Sequence, residues 1–273
     1  MVPLLITATF DVSGTPEVVL RDLRERVVRH MEGLLAWIED GAFSQIVFAK
    51  NCRCPINGNV LRSLGKSKNV GIEYLELSPS RRTATQGKGY GEGEIVRKAL
   101  ERSTFLKSAH SFAKCTGKLF IANHYLLSTK QARGAVFQSC ASPSRPQQRG
   151  FLAPFYRSRR CTGLFSWARR RLRIPWNWLA APFGNRVDTR FYVFERQFYI
   201  EHLMDSHLRV EDSLGYPLEA AFGDDLATAK SISRVPATPI VHGTSGTLGT
   251  TAAVFSQSIH QKALEITNEI MLK

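Results

Sequence analysis

The order of apolar and polar residues along the chain predicts an α/β protein. Short apolar, β-branched runs at 4–10, 45–51 and 71–77 predict buried strands. After the first run, apolar residues recur at intervals of three and four, which predicts a long helix with Pro16 near its start and Gly41 at its end. A shorter helix is predicted between the second and third runs. Strands that alternate with helices predict a mostly parallel sheet with helices on both faces.

The pattern continues to about residue 124, is interrupted, and resumes in the second half of the chain. A helix is predicted over 92–106, and residues 110–123 are predicted to form a strand, a turn and a further strand. The pattern stops at Tyr125 and resumes at about Arg186. Beyond that point the sequence predicts a strand that becomes helical, a loop that leads into a helix, a glycine-rich loop at 239–250 and a final amphipathic helix.

The composition is typical of a globular protein in a reducing compartment. The chain has 273 residues, of which 43% are hydrophobic and 22% are charged, and this is enough for one large domain. No apolar run reaches about 18 residues, so the sequence predicts no membrane-spanning helix. The cysteines follow no metal-binding or disulfide spacing, which predicts free thiols in the cytoplasm. They are Cys52, Cys54, Cys115, Cys140 and Cys161.

Most of the positive charge is concentrated in one segment. Of the formal net charge of +14, residues 125–185 contribute Lys130 and ten arginines, with no Asp or Glu. The arginines are interleaved with Trp167, Trp176 and Trp178. Such a segment can lie in the headgroup layer of an anionic membrane, bind single-stranded nucleic acid, or form a loop that its charge keeps in solution. We favour the membrane over nucleic acid, and all three interpretations stay open.

The stretch TATQGKGYGEGE (83–94) places four glycines on alternate positions. It matches neither the dinucleotide-binding pattern nor the Walker loop, because both need other spacings. The residues support two interpretations equally, a hinge before a helix or a loop that faces a ligand. In the second, Glu92 and Glu94 lie in the first turn of the helix and accept hydrogen bonds from sugar hydroxyls. The basic side chains that could meet phosphate there are Arg81, Arg82 and Lys88.

Eight segments of the chain together resemble one family. They are ITATFD, IVFAKN, IEYLEL, GKGYGEGEIVRKAL, FAKCTGKLFIAN, VDTRFYVFERQFYIEHL, VEDSLGYPLE and HGTSGTLG. Their order resembles that of bacterial glycosyltransferases from surface-polysaccharide (capsule and O-antigen) loci, which are of the GT-A type. The resemblance implies a single GT-A-like, Rossmann-like α/β domain over 1–273, with a mostly parallel central sheet flanked by helices. It implies that 1–124 bind a nucleotide-sugar, that 125–185 are a basic insert and that 186–273 hold the acceptor and catalytic groups.

The chain departs from that family where a metal would bind. Most GT-A enzymes carry an Asp-x-Asp motif that holds a divalent cation against the diphosphate. At the matching place this chain has Lys114-Cys115-Thr116-Gly117-Lys118. Lysines can stabilise a leaving phosphate without a cation, so we expect an enzyme with no metal and no other cofactor. The alternative is that Lys114 and Lys118 are solvated charges at the end of a strand.

The same resemblance assigns roles to individual residues. VED (210–212) resembles the element that supplies the base in many inverting GT-A enzymes, so Asp212 is the first candidate for that base and Glu219 is the second. Either can equally be interpreted as a helix cap or a surface carboxylate. The donor-binding candidates are Thr9, Lys50, Arg82, Lys88, Gly89, Tyr90, Glu92, Lys114, Thr116 and Lys118, and the acceptor-binding candidates are Asp188, Arg190 and His242.

The sequence therefore predicts a cytoplasmic glycosyltransferase, which is peripheral on the inner face of the membrane if the basic segment binds there. Its substrates would be a nucleotide-sugar donor and a saccharide or lipid-linked glycan acceptor. Two other classes stay open. One is a nucleic-acid-binding protein that uses the arginine-rich segment, and the other is a non-catalytic partner of a polysaccharide assembly complex.

Overall fold

The computed structural model describes residues 1–12, 19–52, 54–127, 132–138, 187–212, 216–227, 229–244 and 251–271. Most of the basic segment predicted at 125–185 lies outside these residues, as does the predicted helix start at Pro16. Within the described ranges, no helix is both long and apolar enough to cross a membrane.

The described strands form two sheets. In chain order they are β1 (Leu4–Ala8), β2 (Gln45–Lys50), β3 (Gly71–Glu76), β4 (Ser111–Thr116), β5 (Leu119–Ile121), β6 (Gly134–Gln138), β7 (Val187–Glu195), β8 (Ile232–Val235), β9 (Val241–Thr244) and β10 (Thr251–Ala253). The central sheet has the order β3-β2-β1-β4-β7-β6-β8, and the small sheet has the order β10-β9-β5. The first four strands of the central sheet are parallel, and β7 is antiparallel to both of its neighbours.

Helices cover both faces of the central sheet, as the sequence predicted. They are α1 (Leu23–Asp40), α2 (Gly58–Ser67), α3 (Arg81–Gln86), α4 (Lys88–Arg102), α5 (Thr104–Ser108), α6 (Arg196–His202), α7 (Leu218–Leu226) and α8 (Gln257–Met271). One apolar core joins α1, α2 and α8 to the first face, and a second core joins α4, α6 and α7 to the other face. The predicted fold class, a mainly parallel α/β sheet flanked by helices, is confirmed.

Helix α1 has well-defined caps at both ends. Asp22 accepts a hydrogen bond from the backbone N–H of Glu25 at 2.7 Å, and Gly41 follows the last turn with a φ of 72°. The predicted end at Gly41 is therefore confirmed. The predicted start at Pro16 lies outside the described residues, but the prediction that the helix runs from there through 19–22 is wrong, because these four residues are not helical. The apolar period continues upstream of Asp22, so periodicity alone could not locate the first turn.

The glycine stretch is helical, so the predicted loop or hinge is wrong. It forms α3 and the start of α4, with only Gly87 between them at a φ of 101°. The glycines inside α4 allow close packing, because a Cβ at Gly91 would lie 2.7 Å from the Thr83 methyl group and a Cβ at Gly93 would overlap the His207 side chain.

The early start of α4 also changes the position of the acidic residues. Because the helix begins at Lys88, Glu92 and Glu94 lie beyond its first turn, which contains no acidic residue. Glu94 accepts hydrogen bonds from the Ser80 N–H and the Thr83 hydroxyl, both at 3.1 Å. The expectation that these two carboxylates lie in the first turn of the helix is therefore wrong.

Two stretches predicted to lack regular structure contain strands. β9 lies inside the glycine-rich segment predicted as a loop, where Gly243 has a φ of 115° that the sequence pattern did not reveal. β6 lies inside the segment predicted as an insert and is placed between β7 and β8 in the central sheet. The chain therefore returns to the sheet once before most of the arginines occur.

Helix α1 passes very close to the turn that follows β4. An added Cβ at Gly33 would lie 2.6 Å from the Gly117 carbonyl oxygen, 3.1 Å from the Lys118 carbonyl carbon and 3.2 Å from the Leu119 nitrogen. All three atoms belong to the backbone, so no side-chain rotation could make room. Gly33 therefore sets the distance between α1 and this turn.

We expect the substitution Gly33→Ala to lower the free energy of unfolding by about 1–3 kcal/mol, measured by urea denaturation, because of overpacking. Helix propensity alone would make the alanine variant more stable by about 1 kcal/mol. A decrease in stability would therefore show that the added methyl group meets the backbone of the turn. The control is Glu39→Ala on the exposed side of α1, expected within about 0.5 kcal/mol of the parent. A Gly33→Ala protein as stable as the parent would contradict the packing.

Candidate functional site

The strand order reverses between β1 and β4, and a pocket lies there. From β1 the chain builds outward through β2 and β3 on one side and then returns to place β4 on the other. In open α/β sheets, ligands bind at the carboxyl ends of the strands at such a switch point. The residues that line the pocket are Thr7, Thr9, Val12, Arg26, His30, Thr83, Lys88, Gly91, Glu92, Ile95, Thr116 and Lys118.

Arg26 is held at the pocket by backbone carbonyl groups. Its guanidinium donates to the carbonyl of Thr9, to that of Phe10 at 2.8 Å and to that of Leu20 at 2.9 Å. Burial lowers the pKa of Arg26 to about 10, so it stays charged at neutral pH. These bonds fix a positive charge on α1 against the end of β1.

His30 lies one helical turn after Arg26 and is neutral. Its Nδ1 donates to the Arg26 carbonyl at 2.6 Å, because that oxygen can only accept. Burial and the charges of Lys118 and Arg26 hold the pKa of His30 well below its usual range. The wall that α1 contributes therefore carries one cation and one neutral ring.

Lys118 lies in the turn after β4 and is 5% exposed. Burial lowers its pKa, the charges of Arg26 and Lys88 lower it further, and the charge of Glu92 opposes them, with a resulting pKa of about 7. An anion that enters the pocket would raise the pKa of Lys118, because an opposite charge nearby favours the protonated, charged form.

Glu92, the carboxylate that lines the pocket, is already paired with a buried lysine behind it. Glu92 forms an ion pair with Lys114 and accepts a hydrogen bond from the Thr116 hydroxyl at 2.6 Å. Burial would raise the pKa of Glu92, but the charges of Lys114 and Lys88 and these hydrogen bonds lower it to about 2. Glu92 is therefore ionised at neutral pH and held by Lys114.

A chain of polar contacts continues from this ion pair to β7. Lys114 is fully buried and donates to the Thr189 carbonyl at 2.7 Å, and the Thr189 hydroxyl donates to Glu219 at 2.9 Å. Beside it, Arg190 forms an ion pair with Asp188, with Nη2 and Oδ2 2.5 Å apart. The start of β7 thus lies at the same edge of the sheet as the pocket.

Half of the predicted donor-binding residues line the pocket, namely Thr9, Lys88, Glu92, Thr116 and Lys118. Lys114 lies behind Glu92 instead. Lys50 is buried and pairs with Glu76 at 2.7 Å, Tyr90 packs on His207, and Arg82 is exposed on α3.

None of the predicted catalytic and acceptor-binding residues is among the described residues that line the pocket. Asp212 accepts a hydrogen bond from the Gly89 N–H at 2.8 Å, so it caps α4, whereas Glu219 contacts β7. Asp188 and Arg190 pair with each other. His242 lies in the small sheet between the rings of Phe120 and Phe255.

Several lining residues were not predicted from the sequence, and these are Thr7, Val12, Arg26, His30, Thr83, Gly91 and Ile95. Arg26 and His30 are four residues apart among the apolar residues of α1, and polar residues within such a stripe were a usable signal. Asn51 was also missed. Its Oδ1 accepts from the Thr9 hydroxyl at 2.6 Å, and its buried Nδ2 has no hydrogen-bond partner among the described residues.

The described residues contain no group of three or more His, Cys, Asp or Glu side chains placed to hold a metal ion. Metal independence stays a prediction.

The pKa of Lys118 leads to a pH-dependent stability. Its pKa is about 7 in the folded protein and 10.5 ordinarily. Between these values the unfolded chain binds more protons, so the free energy of unfolding rises with pH by up to about 1.4 kcal/mol per pH unit. Below pH 7 the cost of the buried charge is fully present, and above pH 10.5 it is gone.

We expect the variant Lys118→Met to lack this contribution. The free energy of unfolding of the parent minus that of the variant, from urea denaturation at several pH values, should grow in favour of the parent from about pH 7 to 10.5. Lys118→Arg, which stays charged throughout, should lack it as well. Parallel curves for the parent and both variants would mean that Lys118 titrates normally.

No protein-family model matches the sequence, and no curated protein matches it. Among solved structures, the galactosyltransferase LgtC, determined in complex with donor and acceptor sugar analogs, is 5% identical to this chain, with 98% of this chain and 96% of that chain covered and a TM-score of 0.50. The 4-diphosphocytidyl-2C-methyl-D-erythritol synthase of Anaerococcus prevotii is 11% identical, with 97% of each chain covered and a TM-score of 0.44. The glycosyltransferase GlyE of Streptococcus pneumoniae is 5% identical, with 85% of this chain and 44% of that chain covered and a TM-score of 0.47. The likeness to LgtC shows that this chain has a GT-A-like fold.

Proposed function

We propose that this protein is a glycosyltransferase that transfers a sugar from a nucleotide-sugar donor to a saccharide or lipid-linked glycan acceptor. The observation that carries the proposal is the pocket at the β1–β4 switch point, where Arg26, Lys88 and Lys118 converge. A nucleotide-sugar presents a diphosphate or phosphate to such charges. The fold is the one that LgtC uses with its donor and acceptor analogs.

The basic residues would stabilise the leaving nucleotide. When the sugar is transferred, negative charge develops on the phosphate oxygen that it leaves. Arg26 is held by carbonyl groups and Lys118 is buried, so neither has to reorganise much as this charge appears. The hydroxyl groups of Thr9, Thr83 and Thr116 donate within the protein, to Asn51, Glu94 and Glu92, so their oxygens would act as acceptors towards hydroxyl groups of the ribose or the sugar.

We further propose that the reaction needs no divalent metal. The carboxylate at the pocket, Glu92, is neutralised by Lys114 and Thr116, so it is occupied as a hydrogen-bond acceptor. Lys118 and Lys88 would then take the place of the cation at the phosphate. Lys114 would support them indirectly, through Glu92.

We propose that the acceptor is a lipid-linked glycan at a membrane surface. Gln138 at the end of β6 pairs with Val187 at the start of β7, so the segment between them leaves and re-enters the sheet at the edge that holds the pocket. Residues 139–186 contain ten arginines and no Asp, Glu or Lys. Such a segment is attracted to anionic lipids, where a lipid-linked acceptor for surface-polysaccharide synthesis would be found.

Donor binding can be tested with a thermal-shift panel of nucleotide-sugars, each measured with and without EDTA. A ligand at 100 times its dissociation constant stabilises the folded state by about 2.7 kcal/mol, so a true donor should raise the melting temperature by several degrees. EDTA should change nothing. Lys118→Met and Lys88→Met should reduce the shift, while Lys66→Met, which removes an exposed lysine on α2, should not.

Two results would count against the proposed function. If no nucleotide-sugar shifts the melting temperature while polynucleotides bind tightly, the protein is a nucleic-acid-binding protein. If EDTA abolishes the shift and Mn²⁺ or Mg²⁺ restores it, the metal-free part of the proposal is wrong and the donor-binding part stands.

Membrane association can be tested by vesicle co-sedimentation. The protein should bind vesicles that contain phosphatidylglycerol, bind pure phosphatidylcholine vesicles weakly, and be released by about 0.5 M salt, because the attraction is electrostatic. Replacing Arg169, Arg170 and Arg171 by Gln should weaken binding about tenfold or more.

The control for that experiment removes the same amount of charge elsewhere. It replaces three exposed basic residues in and just after α2, which are Arg62, Lys66 and Lys68. Equal losses of vesicle binding in both triple variants would show that net charge, and not the 139–186 segment, is responsible.

A further inference from the structure

The carboxylate of Asp212 is seated on the backbone at the start of α4. Its Oδ2 accepts the Gly89 N–H at 2.8 Å, across 123 residues of sequence. A Cβ at Gly87 would lie 2.5 Å from the same oxygen, and a Cβ at Gly89 would lie 3.2 Å from Oδ1. Two glycines of the alternating stretch therefore leave room for this carboxylate, and larger residues would displace it.

Helix α4 depends on this distant cap. Its own N-cap position is Gly87, which has no side chain, and no local side chain caps the helix. The first N–H groups of a helix need an acceptor, and a negative charge there is favourable. Asp212 supplies both from another part of the chain.

Asp212 is itself held in place by its neighbours. Glu211 and Tyr216 form an antiparallel bridge, with N···O distances of 3.0 and 3.2 Å. The Tyr216 hydroxyl donates to Asp224 on α7 at 2.7 Å, and Val210 is fully buried. The carboxylate is therefore anchored on the protein core, so it can hold α4 in a fixed position.

The residue that this contact places is Lys88. Lys88 is the first residue of α4, next to Gly89, and it lines the pocket. We infer that Asp212 is a positioning residue that fixes the start of α4 and thereby holds Lys88 at the phosphate-binding end of the pocket. This role differs from that of the general base, and the inference rests on the proposed function.

The test measures binding of inorganic pyrophosphate by calorimetry. Asp212→Ala should weaken binding about tenfold, while Asp212→Asn, whose side-chain oxygen can still accept the Gly89 N–H, should stay within about twofold of the parent. A base that acts only on the acceptor hydroxyl would leave pyrophosphate affinity unchanged in both variants. The control Asp205→Ala removes a carboxylate that pairs with Arg97 of α4 at 3.1 Å, away from the pocket, and should have no effect.

A double-mutant cycle shows whether Asp212 acts through Lys88. Lys88→Met should weaken pyrophosphate binding about tenfold, and adding Asp212→Ala should weaken it no further, because the two residues act through one contact. A further tenfold loss in the double variant would show that Asp212 acts independently of Lys88 and would overturn the inference.

Two further measurements cover the case in which Asp212→Ala folds poorly. Gly89→Ala keeps the carboxylate but crowds it, and it should weaken pyrophosphate binding severalfold in the parent and not in the Lys88→Met background. Amide hydrogen exchange of the peptide over 87–92 should be faster in Gly89→Ala and unchanged in Asp205→Ala. If the parent binds neither pyrophosphate nor any nucleotide-sugar, the proposed function itself fails; if it binds and these variants change nothing, only the role of Asp212 fails.

Discussion

The buried ion pair between Glu92 and Lys114 is the interaction on which the pocket depends. It joins α4 to β4, and the bond from Lys114 to the Thr189 carbonyl extends it to β7. Removing one partner of such a pair leaves an uncompensated buried charge and typically costs about 3–5 kcal/mol. The pair therefore holds α4 across the edge of the sheet, where Lys88 and Ile95 can line the pocket.

The same ion pair decides the charge of the pocket. The described lining residues include three basic side chains, Arg26, Lys88 and Lys118, and one carboxylate, which Lys114 already neutralises. Burial lowers the pKa of Lys118, and the excess positive charge lowers it further. An anion bound in the pocket would offset this excess positive charge. Lys114 and Lys118 were both predicted to stabilise the leaving phosphate, but they differ in the structure, because Lys114 is buried behind Glu92 and Lys118 lines the pocket.

The sequence predicted the parts of the site that follow strands. Thr9 directly follows β1, Thr116 is the last residue of β4 and Lys118 lies in the turn after it, and parallel strands bring such residues to one edge. The sequence could not predict that the glycine stretch is helical. A glycine is needed at position 93 because the His207 side chain, which is distant in sequence, packs against it. Arg26 could be noticed only as a polar residue among the apolar residues of α1, because its partners are carbonyl oxygens, which every residue has and no motif marks.

The contacts of α4 also limit how far the chain can be divided into a donor half and an acceptor half. The helix belongs to the first 124 residues, yet its start is capped by Asp212 and its Gly93 packs on His207. Glu92 reaches Thr189 through Lys114. Since Asp212 and His207 contact α4 directly and Thr189 is linked to it through Lys114, the second half of the chain shapes the wall of the pocket. A substitution at the start of β7 would therefore shift residues at the proposed donor site, because tightly packed cores transmit strain.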